Sequence, residues 1–353
     1  MHTIDIDEDI RRARTLPADV YRDARWYPLQ REKVFARGFH VVDVELPTRV
    51  GDVAPATLLP GCLDEPLVFT RTPQGVRCLS NVCTHRGNLV VESAGACEGL
   101  RCRYHGRRFD LDGRFVSMPE FTGCEAFPSS TDDLPKVAHG TLGPLVFASV
   151  QPSIPFDELI APMRARLDAM PLDRLVFDRE ASRDYEVKAN WALYCDNFLE
   201  GFHIPFVHAA LNKVLDYGSY RTELFAHGSV QIGVAQDGDA TFEVGPERVA
   251  GVYFWLFPST MLNFYPWGLS LNQVVPLSHE RTRVSYRSYV WDPSKRSGGA
   301  GGDLHRVELE DEAVVEAVQR GVRSRLYDRG RYSPTRELGV HHFHRLLARA
   351  LTP

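Results

Sequence analysis

The sequence predicts an α+β protein in which an all-β domain is followed by a domain of mixed helices and strands. Between about residues 39 and 150, short apolar runs alternate with Gly, Pro and Asp turns, which is typical of short strands. The later part shows both helical periodicity and strand-like alternation. In that part we expect helices at 158–170, 189–203 and about 307–327, and strands across 220–292.

The chain length of 353 residues fits about two domains. We expect an N-terminal helical segment at 1–38 that packs on the second domain. The all-β domain is expected at 39–152 and the second domain at 153–353, with "PSIPFDEL" as the linker between them.

The composition excludes several classes of protein. A net charge of −5 argues against a nucleic-acid-binding surface. The start "MHTIDIDEDIRRAR" lacks the basic and apolar regions of a secretory signal, and no apolar run approaches the roughly 20 residues of a membrane span. Seven cysteines, an odd number, argue against a disulfide framework. We therefore expect a soluble cytoplasmic protein without nucleic-acid or membrane partners.

The stretch "NVCTHRGNLVVESAGACEGLRCRYHGRRFD" contains two Cys-His pairs, Cys83 with His85 and Cys102 with His105. Each pair fits a loop at the end of a hairpin, and two such loops can close on one metal centre. Zinc binds Cys2His2 sets, but zinc sites usually pair like with like. Here each loop supplies one Cys and one His, which favours a Rieske cluster with two cysteines on one iron and two histidines on the other.

A second set of candidate ligands lies in "NWALYCDNFLEGFHIPFVH". His203 and His208 are five residues apart with Pro205 between them. Because a helix ends or kinks near proline, the two histidines can face one point from a last helical turn and the segment after it. Taken alone, such a pair is a weak signal.

A third ligand is expected on the long helix that begins near residue 307. Asp311 shares one helical face with three valines, which places its carboxylate on the inward side, where it needs a partner or a metal. The other members of that face are Val315, Val318 and Val322. The alternative role is favourable charge at a helix start, but Glu308, Glu310 and Glu312 already supply it. Two histidines and one carboxylate form the set that binds non-haem Fe(II).

Together these motifs resemble one family over nearly the whole chain, the α subunits of Rieske non-haem iron oxygenases. "CTHRG" and "CRYHG" match the two Rieske boxes, and "EDEAVVEAVQRG" resembles the helix that brings the carboxylate. "ExxHxxxxH", from Glu200 to His208, matches the mononuclear iron motif. The resemblance implies a Rieske domain followed by a helix-grip catalytic domain, an antiparallel sheet with helices. It implies that a 2Fe-2S cluster is bound by Cys83, His85, Cys102 and His105. It implies that Fe(II) is bound by His203, His208 and Asp311.

The resemblance also implies how electrons reach dioxygen. In this family the two metal centres of one chain are too far apart, so electrons cross a subunit boundary in a head-to-tail homotrimer. Glu200 then bridges a cluster histidine of the neighbouring subunit to an iron histidine. Most of the family has Asp at this position, and Glu is similar to the carnitine monooxygenase branch. Because the sequence has no GxGxxG or flavin motif, we expect a separate flavin and iron-sulfur reductase that draws on NAD(P)H.

The substrate is less well determined. Residues 252–276 are dense in aromatic side chains, which suit either a quaternary ammonium or a flat ring. The resemblance to choline, betaine and carnitine monooxygenases favours hydroxylation or N-demethylation of a quaternary amine or betaine over aromatic-ring hydroxylation or O-demethylation. The candidate pocket residues are Phe202, Tyr253, Trp255, Phe264, Tyr265 and Trp267.

Two interpretations of another class stay open, a Rieske electron carrier with a vestigial second domain and a zinc-stapled binding protein. The sequence does not distinguish a monooxygenase from a dioxygenase. The histidines of "HHFH", His341 to His344, are expected at a solvated helix end.

Overall fold

The protein forms two compact units in the computed structural model. The described residues are 4–168, 170–235, 241–244 and 247–352. We call Ala36–Phe156 the β unit, and Met1–Phe35 together with Asp157–Pro353 the mixed unit. The β unit is built from antiparallel sheets and the mixed unit from an antiparallel sheet with helices, so the predicted α+β class is confirmed.

The β unit contains three small antiparallel sheets. The strands are β1 (His40–Val42), β2 (Asp52–Leu58), β3 (Glu65–Thr72), β4 (Gly75–Ser80), β5 (Gly95–Ala96), β6 (Leu100–Arg101), β7 (Arg108–Phe109), β8 (Phe115–Ser117), β9 (Ala138–Leu142) and β10 (Leu145–Ser149). Their orders are β1-β10-β9, β4-β3-β2-β5 and β6-β7-β8. Cys83 and Cys102 belong to the hydrophobic core of this unit, beside Val68, Leu79 and Phe109.

A buried ion pair stabilises the loops of the β unit. Arg107 is only 2% exposed, and its Nη2 donates to the Asp132 carboxylate at 2.6 Å and to the Asp132 carbonyl at 3.0 Å. The hydrogen bond from Arg107 lowers the pKa of Asp132 below its usual 3.8. The guanidinium also lies over the rings of Phe109, Phe115 and Phe127. A single charged side chain therefore ties a Rieske-box loop to the segment that carries Asp132.

Replacing Asp132 by asparagine should leave the buried Arg107 cation without its counter-charge. We expect the free energy of unfolding to fall by about 2 kcal/mol, less than the loss for a fully buried pair because Asp132 is partly exposed. Chemical denaturation followed by circular dichroism measures this change, and Glu125→Gln, at an exposed carboxylate, is the control.

The pH dependence has a definite sign. Because the pKa of Asp132 is lowered by folding, its contribution is full above 3.8 and is lost as the pH falls below that value. The stability difference between wild type and D132N should therefore disappear in acid. Equal stability of D132N and E125Q at neutral pH would contradict the assignment.

The mixed unit is organised around one antiparallel sheet with the order β11-β19-β18-β17-β16-β13-β12, and a separate β14-β15 hairpin. The strands are β11 (Val176–Val187), β12 (Arg221–Phe225), β13 (Gly228–Gly233), β14 (Phe242–Val244), β15 (Glu247–Val249), β16 (Gly251–Leu256), β17 (Thr260–Tyr265), β18 (Gly268–Ser278) and β19 (Arg281–Val290). The central strands β16 to β18 are almost wholly buried, whereas the edge strand β11 is mostly exposed.

The helices of the mixed unit pack on this sheet, with α4 against β18, α6 against β11, and α7 against β12 and β13. They are α1 (Ala18–Arg22), α2 (Trp26–Gln30), a π-helical turn (Arg31–Phe35), α3 (Phe156–Leu167), α4 (Trp191–Phe198), α5 (Ile204–Val207), α6 (Leu304–Val322) and α7 (Leu338–Leu351). Short 3-10 turns lie at Ser130–Asp132, Leu172–Arg174, Leu211–Lys213, Pro293–Lys295 and Gly299–Gly301. Across the described ranges, none of the helices combines the length and the hydropathy that a bilayer crossing requires.

The predicted helix in "DEDIRRAR" does not form. The Asp7 carboxylate accepts from the backbone N–H of Asp9, and the Asp9 carboxylate accepts from the backbone N–H of Arg11. Such local side-chain bonds compete with helical hydrogen bonds. The first helix therefore begins only at Ala18.

Helix α6 confirms the predicted long helix but with a rotated inward face. Glu308, Val315 and Gln319 are buried, whereas Val318, predicted to face inward, is 42% exposed. Asp311 therefore lies at the edge of the buried face. The helix begins where the Asp303 carboxylate accepts from the backbone N–H of Arg306, and it ends at Val322 rather than 327.

The histidines of "HHFH" are not at a solvated helix end, and that prediction was wrong. His341 and His344 are buried in α7. His344 Nε2 lies 2.7 Å from the Asp196 carboxylate, and its Nδ1 lies 2.6 Å from the Tyr332 hydroxyl. Tyr21 donates to the same carboxylate at 2.9 Å. This polar cluster joins α1, α4 and α7 inside the mixed unit.

Candidate metal centres

The two Rieske-box loops of the β unit share one backbone conformation. In the first loop, Cys83 N–H donates to the Asn88 carbonyl at 2.8 Å and Gly87 N–H donates to the Cys83 carbonyl at 3.0 Å. In the second loop, Cys102 and Gly106 make the same two bonds at the same spacing and the same distances. Both glycines have a positive φ, +73° and +76°, which other residues rarely adopt. The repeated turn brings the two loops to equivalent positions.

The four predicted cluster residues lie together between these loops. The Cys83 and Cys102 thiols are unoxidised and buried, and the rings of His85 and His105 stand 4.8 Å apart at 72°. Among the described residues, the buried Nδ1 of His105 has no hydrogen-bond partner. Burial raises the pKa of the Cys83 thiol, so its thiolate needs positive charge beside it. Two buried thiols and an unpartnered imidazole nitrogen fit a 2Fe-2S cluster held by two Cys and two His.

In the mixed unit, His203, His208 and Asp311 also converge. The two histidines flank the four-residue helix α5, His203 at its start and His208 at its end. Asp311 Oδ1 lies 3.5 Å from His203 Nε2 and 3.0 Å from His208 Nε2. One ligand atom from each residue lies within 4.8 Å of the others. Two imidazole nitrogens and a carboxylate at this separation fit one metal ion with further positions open.

Three side chains orient these candidate ligands from behind. Glu200 Oε1 lies 2.7 Å from His203 Nδ1, and Glu310 Oε2 lies 2.8 Å from His208 Nδ1. Asn197 Nδ2 donates to Asp311 Oδ1 at 2.6 Å. A carboxylate on Nδ1 makes that nitrogen the proton carrier and leaves Nε2 as the metal-binding atom. The hydrogen bond from His208 lowers the pKa of Glu310, so this carboxylate stays charged.

The sequence analysis did not find Glu310 or Asn197. It counted Glu310 as helix-start charge, because three glutamates surround Asp311 and periodicity does not show which one meets a histidine. Glu200 was predicted to bridge two metal centres. In the structure its Oε1 binds the ring of His203, and its Oε2 accepts from the backbone N–H groups of Phe202 and His203. The contact of Glu200 with a neighbouring subunit stays a prediction.

A cavity of about 110 Å³ lies beside this triad, and we call it the iron-side cavity. Of the six aromatic residues predicted for the pocket, Tyr253 and Tyr265 line it. Phe202 is 41% exposed, and Trp267 packs on the far side of Tyr265. The remaining two are also outside its wall, Trp255 and Phe264.

Strand position explains why these two aromatic residues lie elsewhere. Trp255 shares the sheet face of Tyr253, but it is covered by Phe343 of α7. Phe264 neighbours Tyr265 on β17, so it points to the opposite face, where it stacks on Trp291. Alternation along a strand therefore identified the correct face for some residues but not the part of that face left open.

Three further tyrosines line the cavity without having been predicted, Tyr194, Tyr220 and Tyr286. Tyr194 and Tyr286 both donate to Glu308 Oε2, the former at 2.6 Å. Burial raises the pKa of Glu308 to about 8, so this carboxyl is mostly protonated at neutral pH. The charged acids that remain around the triad are Glu200, Glu310 and Asp311.

Two family models match the chain. The catalytic domain of the ring-hydroxylating alpha subunit matches residues 173–352, and the Rieske [2Fe-2S] domain matches residues 48–128. The chain belongs to the ring-hydroxylating alpha-subunit family. It is a Rieske non-haem iron oxygenase whose cofactors are a 2Fe-2S cluster and a mononuclear iron, so the predicted family, enzyme class and cofactors are confirmed. The electron-carrier and zinc-protein alternatives are thereby set aside.

Known proteins resemble the chain over almost its full length. The chloroplastic choline monooxygenase of Arabidopsis thaliana is 29% identical over 367 residues, covering 96% of this chain and 83% of that protein. The carnitine monooxygenase oxygenase subunit of Escherichia coli (strain K12) is 28% identical over 357 residues, covering 95% and 93%. An inhibitor complex of the quaternary ammonium Rieske monooxygenase CntA has a TM-score of 0.77 at 23% identity, covering 99% and 100%. The structural match supports the fold.

Replacing Glu310 by glutamine should weaken iron binding. The amide cannot hold the Nδ1 proton of His208 as the carboxylate does, so we expect the affinity for the mononuclear iron to fall about 10- to 100-fold. Anaerobic Fe(II) titration of protein stripped of its mononuclear iron measures the affinity.

Glu312→Gln is the matched control, because Glu312 follows Asp311 directly and its Oε1 has no hydrogen-bond partner within the described residues. Unchanged affinity in E310Q, or an equal loss in E312Q, would show that the contact with His208 has no specific role.

Proposed function

We propose that the protein is the oxygenase component that hydroxylates a C–H bond next to the nitrogen of a small quaternary amine. The observation that carries this proposal is the tyrosine wall beside the metal triad. Tyr253 stacks with Tyr220 at 6.5 Å and meets Tyr265 edge-on at 5.7 Å. Aromatic faces at these distances attract a desolvated quaternary ammonium by cation–π interaction. The printed functions of the relatives, choline and carnitine monooxygenation, support the same class of substrate.

The bound metals would supply the redox chemistry, with electrons delivered through the cluster and dioxygen activated at the mononuclear iron. For monooxygenation, one oxygen atom enters the substrate and the other leaves as water, which consumes two electrons and two protons. The cluster would be held by Cys83, His85, Cys102 and His105, and the iron by His203, His208 and Asp311. These side chains, with the orienting carboxylates behind them, position the metals, while the cavity excludes water and orients the amine.

The enzyme needs a separate reductase as well as substrate and O2, as expected for an oxygenase subunit. We infer that the active form is a head-to-tail homotrimer in which Glu200 links the His203 ring to a cluster histidine of the neighbouring subunit. The contact between Glu200 and His203 supports one half of this link. We also propose the division of the chain at 1–38, 39–152 and 153–353, and a cytoplasmic location where NAD(P)H reduces the partner.

Ligand binding tests the substrate class. Anaerobic holoenzyme should be stabilised against heat by choline, glycine betaine or carnitine, and not by a matched panel of aromatic acids. Tyr253→Leu should weaken binding of the best ligand about tenfold, because it removes a ring from the wall, whereas Tyr253→Phe keeps the ring and most of the affinity. Stabilisation by aromatic acids alone would support ring hydroxylation or O-demethylation instead.

Subunit mixing tests transfer between chains. A Cys83→Ser chain lacks the cluster, and a His203→Ala chain lacks the iron, so each alone should be inactive. Random assembly of equal amounts places an intact cluster beside an intact iron at about one in four boundaries of a head-to-tail ring, so about a quarter of wild-type activity should return. A mixture of Cys83→Ser with Cys102→Ser chains is the control and should stay inactive. Absence of rescue in the first mixture would contradict the trimer proposal.

A further inference from the structure

The polar side chains of the iron-side cavity lie opposite its tyrosines on the central strands. Tyr253 on β16 is paired with Asn263 on β17, and Asn263 is paired with Ser270 on β18. Asn272 follows two residues later on the same face of β18. All four residues line the cavity. One row of the sheet therefore presents an aromatic ring and neutral polar groups side by side.

The charges that face the cavity are acidic. Glu200 and Asp311 line it together with the two histidines of the triad, and no lysine or arginine does so among the described residues. A substrate carboxylate in this cavity would have no cationic side chain to pair with. Burial of an unpaired carboxylate is strongly unfavourable, whereas a hydroxyl needs only a hydrogen-bond partner.

The polar row offers acceptors for such a hydroxyl. Asn263 is 4% exposed, and its Oδ1 has no hydrogen-bond partner in the described structure. Ser270 Oγ donates to Asn272 Oδ1 at 3.1 Å, so the hydroxyl proton of Ser270 is already used. An acceptor oxygen in this position matches an O–H donor. A carboxylate at neutral pH has no proton to donate and would be repelled by it.

We propose that the cavity selects a small quaternary ammonium compound that carries a hydroxyl group and no carboxylate, with choline as the simplest example. The tyrosine wall binds the ammonium, and Asn263 Oδ1 accepts the hydroxyl hydrogen bond. This inference rests on the proposed function and narrows its substrate class, because glycine betaine and carnitine both carry a carboxylate.

A neighbouring cavity contains the nearest alternative for a carboxylate. It shares Ser270 and Tyr286 with the iron-side cavity and is lined by Arg183 and Arg296. Arg296 already pairs with the Asp178 carboxylate, and its Nη2 donates to Ser288 Oγ at 3.1 Å. Its guanidinium charge is therefore compensated within the protein.

Calorimetric titration of anaerobic holoenzyme with four ligands tests the selection. Choline should bind at least about tenfold more tightly than glycine betaine or L-carnitine, because their carboxylates lack a partner. Ethyltrimethylammonium, which is choline without its hydroxyl, should bind about fivefold more weakly than choline, the loss expected for one hydrogen bond.

Two substitutions separate the hydroxyl contact from the charge effect. Asn263→Ala should reduce choline affinity to that of ethyltrimethylammonium and leave the latter unchanged. Asn263→Lys should place a cation in the cavity, weakening choline and strengthening glycine betaine by about tenfold or more each. Asn212→Ala, on the turn Leu211–Lys213 outside the cavity wall, is the control. Thermal unfolding checks each variant, and Asn263→Ala alone decides if the lysine variant does not fold.

The results separate this inference from the proposed function. Glycine betaine or carnitine binding as tightly as choline, or abolished by Arg296→Gln, would overturn the inference while leaving quaternary-amine oxidation intact. Equal effects of Asn263→Ala on choline and ethyltrimethylammonium would also overturn the role of the hydroxyl contact. Absence of binding by all four ligands would overturn both proposals.

Discussion

Carboxylates behind the two imidazoles are the interaction on which the candidate iron site depends. Glu200 holds Nδ1 of His203 and Glu310 holds Nδ1 of His208, so both Nε2 atoms face Asp311. A ring without such a partner can rotate or exchange its tautomer, and a metal site built from it loses affinity. The charge of these acids also matters, because the carboxylates compensate the metal ion in a partly buried site.

Neighbouring parts of the fold keep this arrangement in place. Helix α4 brings Asn197 to Asp311, and the buried face of α6 carries Glu308 against Tyr194 and Tyr286. A protonated Glu308 adds no negative charge beneath the triad, which leaves the cavity less acidic than its composition implies. Small residues leave room for the aromatic wall, since a Cβ at Gly251 would collide with the ring of Tyr253.

The β unit achieves the same end by repetition. Each loop uses one backbone turn with a positive-φ glycine to present a buried thiol and a partly exposed imidazole. The histidine side of the centre therefore faces outward, which suits a centre that exchanges electrons with a partner. The Arg107–Asp132 pair anchors the loop that supplies Cys102 and His105.

Local spacing determined much of this protein. Both Cys-His boxes and the pair His203 and His208 are recognisable because their members lie within a few residues, where chain geometry fixes their separation. Helical periodicity also placed Asp311 near an inward face although Val318 was assigned wrongly. What the tertiary structure decided are contacts between distant segments. The rotation of α6 against α5 selects Glu310 rather than Glu312, and the packing of α7 covers Trp255 while leaving Tyr253 open. Such choices depend on angles between elements, which one-dimensional periodicity does not contain.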